Sequence, residues 1–320
     1  PNAAPHRDNK RGLIGATIAQ IGGGSIGPEA LMSRLAALIS QRIWHGRDHA
    51  MQSAAVAGSL GLFGAPLLGG AVVSHRRVDL LERWLPGTLG GLAGFVLFHG
   101  LIEVSGGSLQ RLPYTWPTTI GESIGTISAG LLAGLMGCGL GVLLLWWRQW
   151  LIGKRLMNRW PWWPLLTGLL LGALMHWLPL VPFAGEEQLR PLLEDQNRSA
   201  TAVLILSGLV KLIMLGLCLE TGWRGGIFFP LFLVACTIGM ACHQLLPDVA
   251  SLGSWCGGLT GALYRMVLPS PLVVLVLGVA LLQGHGSGGL LVGLALAHLI
   301  RTHLPRGDGP PPLPQTPDSL

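Results

Sequence analysis

Apolar residues run along this chain in long stretches separated by short polar connections, at roughly 12–39, 51–74, 84–104, 119–147, 162–183, 199–219, 226–246 and 252–300. A helix needs about 20 apolar residues to cross a lipid core, so each stretch can hold a crossing and the last can hold more than one. The pattern predicts an all-α polytopic integral membrane protein with about eight to ten spans.

Two of the stretches are interrupted. Gly22-Gly23-Gly24-Ser25-Ile26-Gly27-Pro28-Glu29 and Gly222-Trp223-Arg224-Gly225-Gly226-Ile227-Phe228-Phe229-Pro230 are glycine-rich breaks that lead straight into apolar helical sequence. Each carries a proline near the expected helix start, where the missing N–H does no harm. Both therefore predict helix N-termini placed inside the membrane. A helix N-terminus offers unpaired N–H groups and roughly half a positive charge, so two that converge form an anion site without a buried Lys or Arg. Broken helices facing each other across inverted-topology halves are a known transporter arrangement. No internal repeat is visible in the letters.

Glu29 gains its interest from this position. An ionisable residue within a membrane segment is costly and marks a pathway by default. At a positive helix N-terminus its carboxylate can occupy the anion site as a tethered competitor, or be protonated and swing aside. The spacing fits a simple capping acid equally well.

Composition supports the membrane reading. The 320 residues are 50% hydrophobic and 11% charged, against about 25% charged in ordinary soluble domains, and mean hydropathy is +0.54. The 48 glycines and 22 prolines imply broken or closely packed helices buried in protein, since lipid cannot satisfy the backbone groups they free. The net charge of +6 does not imply nucleic acid, because the basic residues sit in connections between apolar runs. "WWRQWLIGKRLMNRWPWW" (146–163), with Arg148, Lys154, Arg155 and Arg159 among tryptophans, reads as a cytoplasmic loop between interfacial anchors. Cys138, Cys218, Cys236, Cys242 and Cys256 lack metal-type spacing and read as core residues. The start "PNAAPHRDNKR" has no initiator Met and no signal-peptide pattern, so a preceding segment is expected. The resulting division is a polar N-terminal segment at 1–11, a transmembrane domain at 12–304 and a proline-rich flexible tail at 305–320.

At these residues the sequence resembles the CLC family of chloride channels and proton-coupled chloride antiporters. "GPEAL" (27–31) is similar to the family's G-[RK]-E-G-P motif in a G-P-E-A-P form, with Leu31 in place of the last proline. "GGIFFP" (225–230) is similar to its G-x-F-x-P motif, "GAPLLGG" (64–70) to its N-A-P-L-A-G stretch, and "FAGEEQ" (183–188) to a loop element of related bacterial sequences. The resemblance spans roughly 10–304. Aligning "GSIGPE" (24–29) with the family's first motif, G-S-G-I-P, is rejected because "GAPL" follows at the interval of the second.

The resemblance implies a voltage-gated chloride channel or antiporter fold whose broken helices meet at mid-membrane, with Glu29 as the gating glutamate. Backbone amides around Gly27, Ala30, Gly226, Ile227 and Phe228 would hold the anion. It further implies chloride as the transported ion, no cofactor or metal, no enzymatic activity, a homodimer with one pore per subunit, and a multi-pass place in the cytoplasmic membrane. Three departures accompany it. The first selectivity motif and its serine do not precede Glu29 here. The inner-mouth proton-relay glutamate of antiporters falls at His75 and Arg76, of which only His75 titrates near neutral pH. The family's central tyrosine has no match in "GSGGLLVGLALAHLI" (286–300), and Tyr114 and Tyr264 lie elsewhere in the sequence. Passive channel and proton-coupled antiporter both remain open.

Rival chemistries find little support. His45 and His49 have ligand-like spacing but no third partner. "QGHGSGG" (283–289), with His285 and Ser287, reads as a connection and not as the site of an intramembrane hydrolase. Glu122 and Glu220 read as helix-end acids. An organic-anion carrier would need a fixed cation, for which Arg224 is the candidate nearest the second break.

Overall fold

The computed structural model describes residues 9–43, 85–104, 114–116, 124–154, 160, 162–196 and 199–303. His75, Arg76, "GAPLLGG" (64–70), His45, His49, Glu122 and the tail at 305–320 lie outside the described residues. Within them the chain forms α1 (Asn9–Ile21), α2 (Glu29–Ile43), α3 (Leu85–Val104), α4 (Ile124–Lys154), α5 (Trp163–Trp177) and α6 (Glu186–Glu194). The second half gives α7 (Thr201–Glu220), α8 (Phe228–Leu245), α9 (Leu252–Val267), α10 (Pro271–Leu281) and α11 (Ser287–His303).

Among the described residues, three helices are long and apolar enough to cross a membrane, contained in α4, α7 and α8. The run at 12–39 is not one span, because it breaks into α1 and α2, and the run at 252–300 divides into α9, α10 and α11. Outward faces of α4 and α5 are apolar, with Leu131, Leu135, Trp146, Leu165 and Trp177 exposed. Lipid, and not water, is the solvent that tolerates such a surface.

The centre of the molecule is α9, which is buried along its whole length and packs on α4, α8 and α11. Glycines let the backbones touch. A Cβ on Gly257 or Gly261 would strike the backbone of Gly286 or Leu290, and one on Gly258 would crowd the Cα of Gly130. Small residues at a helix interface replace the hydrophobic drive that is absent within lipid.

The basic stretch at 146–163 is only in part a connection. α4 continues through Lys154, and Arg148 turns inward to an ion pair with Glu220 at the end of α7, with Nη2 2.7 Å and Nε 2.8 Å from Oε1. Two mutually neutralising groups on adjacent helices let both enter the packed interior. All five cysteines are buried as free thiols.

Candidate functional site

Each break is a folded turn. After α1, Gly22 N–H donates to Ile18 O (2.8 Å), Gly24 N–H to Ala19 O (2.9 Å) and Ile26 N–H to Gly24 O (2.8 Å). Gly23 takes φ +77, a left-handed conformation open to glycine. After α7, Thr221 N–H returns to Leu217 O (2.9 Å), Gly222 takes φ +89, and Trp223 N–H donates to Cys218 O (3.0 Å). The Trp223 ring then lies over the first break, where a Cβ on Gly24 would collide with it. Its Nε1 donates to Pro164 O on α5 (3.1 Å).

The two breaks meet. Gly27 and Gly226 form an isolated antiparallel bridge, with Gly27 N–H to Gly226 O and Gly226 N–H to Gly27 O, both at 2.7 Å. This pairing sets the first residue of α2, Glu29, against the first turn of α8. Phe229 N–H donates to Glu29 Oε1 at 3.0 Å. Glu29 is buried. A Cβ on Gly27 or on Gly226 would fall inside its carboxylate, so the space that the side chain fills exists because both bridge residues are glycines.

A second layer holds this arrangement. Phe183 N–H donates to Gly23 O (3.0 Å), and the Phe183 ring lies against Gly23, which ties residues 178–185 to the first break. That loop is wrapped around Lys211 of α7. The Lys211 ammonium, 1% exposed, donates to the carbonyls of Leu180 (3.0 Å), Val181 (3.0 Å), Pro182 (3.3 Å) and Phe183 (2.9 Å). Gln188 adds bonds to Pro179 O (2.8 Å) and Pro182 O (2.9 Å). Beyond the loop, burial and then the Glu187 charge push the Glu186 carboxyl up to about 7.

The residues singled out in the sequence are distributed as follows. Gly27, Gly226, Ile227, Phe228 and Glu29 come together, and Ala30 follows Glu29 in α2. Ile227 stands at the head of α8 as its capping residue, while the amide seen on Glu29 Oε1 is that of Phe229, one residue beyond those expected. Glu220 is engaged with Arg148. The Arg224 stem passes beside Gly15 of α1. Ser287 donates to Gly284 O (2.7 Å) at the start of α11, and His285 stacks on Trp116 at 6.4 Å.

Tyr264, outside the stretch 286–300, reaches the site in the fold: its hydroxyl donates to Phe228 O at 2.5 Å and its ring lies 6.5 Å from that of Phe228. α9 brings it there, which no interval along the sequence could show. Lys211 carries a signal in the sequence, since a lysine inside the apolar stretch 199–219 is costly unless it is fully bonded.

The arrangement is one of two helix N-termini aimed at a common acid, with the chemistry of an anion site. Comparison with known proteins gives the family and the fold. A family model described as voltage gated chloride channel matches residues 10–301. The crystal structure of a CLC-type fluoride/proton antiporter superposes with TM-score 0.68 at 16% identity, covering 90% of this chain and 73% of that one. The X-ray structure of a slow cyanobacterial Cl-/H+ antiporter superposes with TM-score 0.67 at 21% identity, covering 91% and 73%. No curated protein matches. With its two breaks joined at Gly27 and Gly226 and a family match along nearly all of its length, the chain belongs to the voltage gated chloride channel family, the CLC proteins.

Proposed function

We propose that the protein passes chloride or similar small inorganic anions across the cell membrane and that Glu29 is the gate of the pathway. The observation that carries this reading is the bond from Phe229 N–H to Glu29 Oε1, made across the Gly27–Gly226 bridge. A carboxylate held by amides at a helix head is a stand-in for a free anion, with the same charge and the same acceptor character. When the side chain is protonated or leaves, the amides of Ile227, Phe228 and Phe229, with that of Ala30, become donors for the permeating ion, while the Gly27 and Gly226 amides stay in the bridge that holds the two helix heads together. Backbone donors carry no preference for one small anion over another, so discrimination among chloride, nitrate and fluoride is expected to be modest. A homodimer with one pore per subunit belongs to the same proposal.

Proton-coupled exchange is the second reading. An acid that competes with the anion for one set of donors links proton binding to anion occupancy, because the neutral form cedes the site. The two similar structures are those of proton antiporters.

Reconstitution in liposomes tests both readings, with anion efflux and pH change recorded together for the wild type and Glu29→Ala. Anion flux with matched proton movement supports exchange, and anion flux alone supports a channel. Unchanged transport and unchanged pH dependence in Glu29→Ala would remove Glu29 from the gate.

A further inference from the structure

α6 opens with two acids, Glu186 and Glu187, which the environment treats differently. Glu187 is exposed to solvent. Glu186 is partly covered, and its Oε2 is enclosed without a hydrogen-bonding partner. The preceding residues explain the inward turn. Gly185 takes φ +111 and packs so tightly on Leu233 of α8 that a Cβ would clash with it. The loop before it is bound to Gly23 through Phe183 and to the Lys211 ammonium. Glu186 is thereby anchored to the same two elements, the first break and α8, that form the Glu29 site. Glu29 and Tyr114 both lie within electrostatic reach of it.

We propose that Glu186 is a second acid of the gate, a relay that hands a proton to Glu29 and takes it back. The inference rests on the reading of Glu29 as the gate. In the forward step the neutral Glu186 carboxyl releases its proton and the Glu29 carboxylate accepts it, directly or through water. Glu29 thereby loses its charge and its hold on the α8 amides, while Glu186 becomes the carboxylate and is reprotonated from bulk water. No other reactant is needed.

Three observations favour this role over a merely structural one. A capping acid would spend its oxygens on the amides of its own helix, yet Oε2 has no such bond. An enclosed, unpaired carboxylate oxygen is costly when charged. Glu187, in the same turn, is in solvent, so bulk water lies within one residue of Glu186 and can reprotonate it. The titratable groups within electrostatic reach of Glu186 are Glu187 on its own helix, Glu29 at the head of α2 and Tyr114 in the segment 114–116, with Lys211 of α7 behind the preceding loop. α8, packed against α6, presents the uncharged Leu233 at the contact. The carboxyl is poised near neutral pH, as a proton relay requires.

The test is proteoliposome flux, with anion efflux and proton movement measured against pH for the wild type, Glu29→Ala, Glu186→Gln and Glu187→Gln. Glu186→Gln is expected to lose proton movement or, in a channel, the change of anion flux across neutral pH, while Glu187→Gln keeps both. Wild-type proton movement and pH profile in Glu186→Gln, alongside altered behaviour in Glu29→Ala, would overturn the relay and leave the gate standing. If Glu29→Ala itself changed nothing, the gate reading would fall first. A measurement that does not depend on the folding of Glu186→Gln is infrared titration of Glu29→Gln. A protonated carboxyl band that disappears as pH rises through neutrality supports the relay, and the absence of that band refutes it.

Discussion

Gly27 and Gly226, from opposite halves of the chain, exchange N–H···O=C bonds of 2.7 Å in both directions and so fix the heads of α2 and α8 against each other. A β-type pair between two helix starts is unusual in a molecule whose other described elements are helices, and here its effect is to aim both heads at one carboxylate. The neighbouring contacts follow from it, including the bond from Phe229 to Glu29.

Alanine at either bridge position should displace Glu29, because its methyl would occupy the space of the carboxylate. Gly226→Ala is expected to lose most anion flux in liposomes and to behave in pH titrations as Glu29→Ala does. Overpacking of this kind costs typically about 1–3 kcal/mol, so a lowered thermal transition in detergent should accompany the loss.

Lys211→Met keeps the length of the stem and removes the donors that hold four carbonyls. Each buried acceptor left unpaired costs on the order of 1–3 kcal/mol. The variant should therefore be strongly destabilised, and Lys211→Arg, with its charge retained, should recover part of the loss. A thermal unfolding series of the three proteins decides this, and equal stability of the Met variant would contradict the carbonyl cage.

Breaking the Arg148–Glu220 pair on one side strands a charge in the interior. Arg148→Met alone is expected to cost roughly 3–5 kcal/mol. The double variant Arg148→Met with Glu220→Leu should regain much of that stability, and a double-mutant cycle read by unfolding gives the coupling.

The Glu186 carboxyl fixes a sign for stability against pH. Its value is raised from 4.5 to about 7, so the neutral form is favoured in the folded protein. That contribution is present in full below the ordinary value and is lost as pH rises through about 7. Glu186→Gln, neutral throughout, should match the wild type in acid and exceed it in thermal stability above neutrality. A wild-type advantage on the alkaline side would reverse the assigned sign.

Much of this protein was legible in the letters. The lengths of apolar sequence give a helical membrane protein because lipid admits only segments that satisfy their own backbone. The two glycine-rich breaks with their prolines mark helix starts for local reasons that need no tertiary contact. Glu29 was legible for the same reason, as an acid placed where charge is costly. The resemblance to CLC motifs rested on the same residues.

The tertiary structure decided which groups meet those residues. Tyr264, Phe229 and Lys211 join the site or the layer behind it through contacts that span much of the chain. Tyr264 arrives because the glycines of α9 allow close packing at the centre. Lys211 is tolerated because a distant loop turns four carbonyls towards it. Glu186 and Glu187 are identical neighbours in sequence, and the way α6 packs, with Gly185 pressed on Leu233, leaves Glu187 in solvent and covers part of Glu186. A sequence sets local preference at each position; the partner of a buried polar group is fixed by packing, because that group must find its bonds wherever the fold places them.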